Sequence, residues 1–460
     1  MMFLKEMKKT VCSVVYLLFL ALMIYNWYEN FYGVTEKEIR KAYESDSSVY
    51  STVTGGAILA EPDPETGSYG TKSEENPEKI MCGGTDKLII EYLNNSYATY
   101  PVSYYKEVIL DEEEQEKILE IIQEITGLNE EQISNLPDDY FPRVNGNIIH
   151  MESGAETEMD IAADIGEADV AAEAKDYTKH FISQVTYDRF KELMAEASDI
   201  IGPGSNYTRD NLLLYYGQVE MDYEEAVDEY HTTIYDDKVT IAFARLFCDY
   251  LSRTLGLYPV FLAVAMWMRD RRCRMQELIN VKAIGTAKLI IVRYLALLAA
   301  VLIPVFLLSL ESLVPLVEFS VETGIEIDLF AFAKYILWWL LPTSMIVLAL
   351  GMFLTILTRT PVAVIVQLVW WFMDSSFTEL SGDTGLFTLM IRHNLLKGSE
   401  LIRQDLGIIW MNRGIMAGVA VLLVLLSIVI YDMKRGGKLE QKNKMPKWLG
   451  ALAKRFSISI

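Results

Sequence analysis

Arg245, Asp249 and Arg253 fall at i, i+4 and i+8 within a run, Val239–Met268, that is otherwise largely apolar. On a helix this spacing stacks two guanidiniums and a carboxylate on one face. Two chemistries fit. The charges crown the solvated end of a long helix, or they face a polar cavity, because ionisable groups at membrane depth normally line a pathway or pair with one another. A second stretch, Arg269–Lys288 (RDRRCRMQELINVKAIGTAK), joins basic residues to an apolar stripe of Met275, Leu278 and Ile279 at i, i+3 and i+4. Glu277, Lys282, Gly285 and Lys288 punctuate it. Arg269, Arg271, Arg272 and Arg274 suit inner-leaflet phosphates or an acidic groove on a partner. The excess of Lys and Arg in cytoplasmic loops explains these arginines equally well, but not the stripe or the Gly285 break.

Bond-making chemistry finds little support. Gly67–Ser73 (GSYGTKS) lacks the GK[ST] ending of a phosphate-binding loop and lies in an acidic region. A nucleophile elbow, an HExxH pair and an EF-hand loop are missing from the sequence. The histidines stand apart at 150, 180, 231 and 393, and Cys12, Cys82, Cys248 and Cys273 lack metal-ligand or CxxC spacing. Ser344, Gln367, Asn412 and Arg413 are the few polar candidates on the later apolar runs. The expectation is a chain that is not an enzyme, holding neither metal nor cofactor of its own.

Apolar runs occupy both ends of the 460 residues, whereas residues 29–238 carry 47 Asp/Glu against 15 Lys/Arg, a net of −32 within a total of −22. Such asymmetry points to regions on opposite sides of a membrane. The acidic block also argues against a nucleic-acid partner, since phosphate binding needs Lys/Arg footprints. Lys5, Lys8 and Lys9 precede Val11–Tyr28, an uncleaved anchor in preference to a signal peptide because bulky Tyr25, Trp27 and Tyr28 replace a small-residue cleavage site. Further spans are expected at Val239–Met268, Leu289–Leu310, Leu329–Leu357, Val362–Phe377 and Ile408–Ile430. An outer loop at Glu311–Asp328 has acids and no Lys or Arg. With six spans both termini lie inside, and the inner segments hold 18 Lys/Arg.

The fold class expected is therefore a polytopic α-helical membrane protein with six transmembrane helices. Between helices one and two sits a mixed, mainly helical α+β extracytoplasmic domain. Helices are expected at Asp111–Gly127, Glu156–Ala174, Thr186–Ile201 and Tyr223–Tyr235, with short strands at Lys87–Tyr92 and Val102–Leu110. An outer segment, 375–407, contains two amphipathic pieces, near Leu386–Leu396 and Ser399–Leu406. The basic tail, 434–460, carries Trp448, Leu449, Leu452 and Phe456 as one apolar stripe, which suits an interfacial helix against membrane lipid.

RDRRCRMQELINVKAIGTAKLIIVRYLAL resembles the corresponding region of permease subunits of ATP-binding-cassette exporters of the type V class. Glu277 sits where that family commonly has a Glu before its L-x-x-x-P run, and Ala283 stands where many members have Pro. Ser399–Leu406 and its partner segment match the re-entrant outer pair in position, and Asn412-Arg413 is similar to the Asn-Arg pair before the last span. The likeness covers residues 239–433 and the first span. It implies a short cytoplasmic coupling helix near 271–288 carrying Met275, Glu277, Leu278, Ile279, Lys282, Gly285 and Lys288, which docks a separate ATPase in two copies. ATP would be bound there and not on this chain. It also implies dimerisation with itself or a sister permease, spans two and five lining the route with Arg245, Asp249 and Arg253 as candidates, and a bacterial cell membrane as the location. Exporters of this plan move peptides, antibiotics, lipids or ions. The competing expectations are a four-span mechanotransmission permease and a membrane-anchored sensor whose outer domain binds a ligand.

Overall fold

The computed structural model describes residues 2–44, 59–64, 69, 71–100, 105–136, 183–273, 284–377, 385–393 and 395–436. The chain divides into two compact units: residues 1–45, 57–61 and 228–460 form one, and residues 46–56 with 62–227 the other. The first begins with an amphipathic helix, α1 (Met2–Val11), which buries Glu6 and Thr10 and packs along the helix at Thr286–Thr323. Ser13 caps the apolar α2 (Val14–Asn30) by accepting from the Tyr16 N–H. After a turn at Gly33, α3 (Val34–Glu44) follows.

The second unit is helical with two small antiparallel pairs. Strand β1 (Thr71–Ser73) pairs with β4 (Gln218–Glu220), and β2 (Tyr97–Thr99) pairs with β3 (Lys106–Val108). Its helices are α4 (Pro77–Asn94), α5 (Glu112–Thr126), α6 (Glu130–Ser134), α7 (Tyr187–Ile201), α8 (Arg209–Tyr216) and α9 (Tyr223–His231), whose last turns lie in the first unit. Local sequence sets the boundaries. Asp111 and Glu114 form a reciprocal capping box at α5, Gly127 closes it in the left-handed region at φ 72°, and Asn95 does the same for α4. Ile118, Ile121, Ile122 and Ile125 of α5 pack against Phe190, Leu193, Met194 and Ala197 of α7, with Leu88 and Ile89 of α4, as one core. The strand expected at Lys87–Tyr92 is helix: its apolar pairs Leu88-Ile89 continue the periodicity from Ile80, and the Asn76 cap with Pro77 starts a helix upstream of it. The helix expected at Glu156–Ala174 lies outside the described residues.

The first unit resumes with a π-helical turn, Thr232–Asp236, then α10 (Thr240–Leu257), α11 (Pro259–Arg272) and α12 (Thr286–Thr323). Next come α13 (Ala331–Tyr335), a second π turn (Ile336–Leu340) and α14 (Leu341–Thr358), then α15 (Val362–Phe377), α16 (Ser399–Gln404) and α17 (Leu406–Arg435). Among the described residues five helical stretches are long and apolar enough to cross a membrane: Val14–Ala42, Thr240–Asp270, Thr286–Thr323, Ala331–Thr358 and Leu406–Arg435. The stretch expected as the fifth span is a helix of 16 residues, about 24 Å long against a hydrocarbon layer of about 30 Å.

Two expectations are corrected. Glu311–Asp328 is not a loop throughout, because α12 runs on to Thr323. Leu316 and Phe319 are buried there, and the Glu311 carboxylate accepts from the Gly33 N–H at 3.3 Å. The piece near Leu386–Leu396 is not helical among its described residues; only Ser399–Gln404 is. Close backbone approach fixes the bundle: a Cβ on Gly351 of α14 would meet the Ala263 Cβ of α11 at 2.9 Å.

Candidate functional site

Two clusters of buried charge organise the helical unit, one at each end of its long helices. The first holds the irregular residues 385–393 and 395–397. Non-helical backbone among apolar helices must find partners for its own N–H and C=O groups, and here side chains supply them. Asp374, at the end of α15, accepts from the Leu389 N–H at 2.8 Å and the Met390 N–H at 3.1 Å. Thr343 donates to the Leu389 carbonyl at 2.8 Å. Asn412 donates to the Gly385 and Thr388 carbonyls at 2.7 and 2.9 Å. Arg413 donates through Nη1 to the Trp339 carbonyl at 2.9 Å and to Thr343 Oγ1 at 2.8 Å, and through Nη2 to the Thr388 carbonyl at 3.2 Å. Trp339 lies in the π turn at Ile336–Leu340, and its carbonyl also accepts from Thr343 Oγ1 at 3.3 Å.

Ion pairs carry the far end of the segment. Arg392 Nε meets Asp249 Oδ1 at 2.6 Å, and the other carboxylate oxygen accepts from the His393 N–H at 3.3 Å. Arg245 Nη2 pairs with Asp237 at 2.5 Å and reaches the Leu396 carbonyl at 3.3 Å. The His393 Nε2 lies 3.0 Å from the Lys397 carbonyl, and Lys397 pairs with Glu229 at 2.9 Å. Each of these three cations has its own carboxylate, so the cluster is a clamp of matched charges.

The second cluster flanks residues 274–283. Arg293 of α12 is 3% exposed and bonds Asp270 of α11 through Nη1 at 2.6 Å; its Nε is 3.4 Å from Glu6 of α1, and its guanidinium lies over the Trp267 ring at 5.1 Å. Arg269 donates to the Lys9 carbonyl at 3.0 Å. On the other flank, Arg435 donates to the Ile284 carbonyl at 2.6 Å and Thr286 to Asp432 at 2.8 Å. Four helices, α1, α11, α12 and α17, are thereby tied at the two ends of that segment.

The residues singled out in the sequence fall unevenly. Arg245 and Asp249 are buried and point to separate partners, Asp237 and Arg392, and not to each other. Arg253, next on the same face, is exposed. Met275, Glu277, Leu278, Ile279 and Lys282 lie outside the described residues. Gly285 precedes α12 as its N-cap in extended backbone, and Lys288 is exposed on the first turn. Sequence reasoning missed Asp237, Asp374, Arg392, Glu6, Asp270 and Arg293. The signal was present in Arg392-His393 and Arg293, charges placed beside apolar runs. Among the described residues no three His, Cys, Asp or Glu side chains gather as a metal site. No family model, no curated protein and no solved structure matches the chain.

Proposed function

We propose that this chain is the membrane-spanning permease subunit of an exporter driven by a separate ATP-binding-cassette ATPase, with six spans and an acidic outer domain between the first two. The observation that carries this reading is the double tie around residues 274–283. A protein that receives work from a partner needs an element whose displacement reaches several helices together. Asp270 and Arg293 on one side of the segment, and Ile284 with Arg435 on the other, join α11, α12 and α17 around it. The apolar stripe Met275, Leu278 and Ile279, with Glu277 beside it, is the surface on which the ATPase docks in this reading. The clamped segment 385–397 serves as the re-entrant outer element, and 16-residue α15 completes the sixth crossing beside it.

Arg245 and Asp249 act on this view as clamp residues that hold the outer segment, not as groups that bind cargo. The chain itself binds no nucleotide; two ATPase copies and a second permease, the same or a sister, complete the assembly. The test is purification of the tagged chain from its native membranes in mild detergent. An ATP-hydrolysing subunit that co-purifies in a defined ratio supports the reading, and a chain that emerges alone with no ATPase activity contradicts it.

A further inference from the structure

Arg253 breaks the pattern of matched charges. It is exposed, and among the described residues no carboxylate forms an ion pair with it. Among the described residues its charged neighbours are Asp249 and Arg392, which already pair with each other, so Arg253 adds a positive charge that they do not balance. The indole N–H of Trp371 on α15 donates to the Arg253 carbonyl at 2.9 Å, and Gly256 lets that ring approach, since a Cβ there would meet it at 3.1 Å. On the side of α15 nearest Trp371, Leu368 and Phe372, i and i+4, form an exposed apolar pair.

Depth gives the arginine its meaning. On the proposed topology Asp270 lies at the inner end of the apolar stretch Thr240–Asp270, and Arg253, about 25 Å along the helix from it, falls within the outer part of a hydrocarbon layer about 30 Å thick. An exposed guanidinium there is costly unless it reaches a counter-charge. Among the described residues of this face, the carboxylates Asp249 and Asp374 are buried and engaged, so neither answers Arg253. Trp370 and Trp371 suit the headgroup level, and a guanidinium fork matches the oxygens of a phosphate.

We propose that Arg253, backed by Arg392 and flanked by Trp371, binds the phosphate of a phospholipid in the outer leaflet, with an acyl chain along Leu368 and Phe372. The site rests on the reading of Thr240–Asp270 as a membrane span. The test is native mass spectrometry of the full-length protein offered phosphatidylglycerol, diacylglycerol or inorganic phosphate. The native protein is expected to retain phosphatidylglycerol but not diacylglycerol, R253Q to lose roughly fivefold or more of those adducts, and R253K to keep part of them. R359Q, at the opposite end of α15, is expected to keep them in full. Equal retention by R253Q, or equal binding of diacylglycerol, overturns the site. Phosphate adducts without lipid adducts overturn the lipid assignment in favour of a free anion. Release of the chain from membranes by alkaline carbonate overturns the spanning reading and the site together, whereas a retained chain with unchanged R253Q adducts overturns the site alone.

Discussion

Asp249 and Arg392 are 143 residues apart in sequence, and their side chains meet at 2.6 Å with exposures of 0% and 3%. A buried pair of this kind is weak evidence for net stability, but removing one partner strands the other. D249N and R392Q are each expected to lower stability by about 3–5 kcal/mol, and the double variant by less than their sum. Denaturant melts of the detergent-solubilised protein give the cycle; strict additivity would show that the pair does not act as one unit.

Arg413 separates geometry from charge. Its three nitrogens serve five acceptors in a planar fork, which a lysine ammonium cannot reproduce. R413K is therefore expected to destabilise nearly as much as R413M, by about 2–4 kcal/mol, because the carbonyls of Trp339, Thr388 and Leu389 lose a charged donor and keep only their bonds from Thr343 and Asn412. Labelling of a cysteine placed at Phe387, exposed in the native protein, monitors a different consequence: cysteines at buried Leu389 should become reactive only in the variants.

At the other end, Arg293 stands between Glu6 and Asp270. R293M leaves two acids facing each other at a buried site, so it is expected to cost more than E6Q, by about 1–3 kcal/mol. On the proposed function the same variant should weaken stimulation of the partner ATPase while the ATPase still binds. Stimulation at the native level would detach this brace from force transfer.

The second unit carries its own pH signature. Burial pushes the Asp86 carboxyl up from its ordinary value to about 7, a shift that the weak Cys82 contact at 3.9 Å only partly offsets. A carboxyl with a raised folded-state pKa binds its proton more tightly in the folded chain, so its contribution to stability is lost as pH rises from about 4 to about 7. The difference across that window is on the order of 4 kcal/mol. D86N should flatten it. Urea resistance of the proteolytic fragment containing Pro77–Asn94, measured at pH 5 and pH 8, checks this; an unchanged slope in D86N assigns the dependence elsewhere.

What the sequence made legible follows from how local the signal is. Apolar runs and caps are local, so α5, α7 and α15 lie within a residue or two of where periodicity and capping placed them. The extension of α12 to Thr323 was hidden because its acidic residues read as loop, while Leu316 and Phe319 bury only against other elements. The charged face of α10 was visible at i, i+4, i+8, but its partners Asp237, Arg392 and Leu396 were not. Pairing across 8, 143 and 151 residues leaves no trace in spacing. Leu386–Leu396 read as an amphipathic piece because its apolar residues alternate with polar ones; the backbone around it instead bonds to Asp374, Thr343 and Asn412.

On the proposed function, Met275–Lys288 receives the ATPase. The direct measurement is ATP hydrolysis by the co-purified partner in lipid nanodiscs, with the native chain and with a chain carrying E277K and I279E. The substituted chain is expected to fold with an unchanged limited-proteolysis pattern and to lose both ATPase retention and stimulation. Retention and stimulation at native levels in that chain would contradict it.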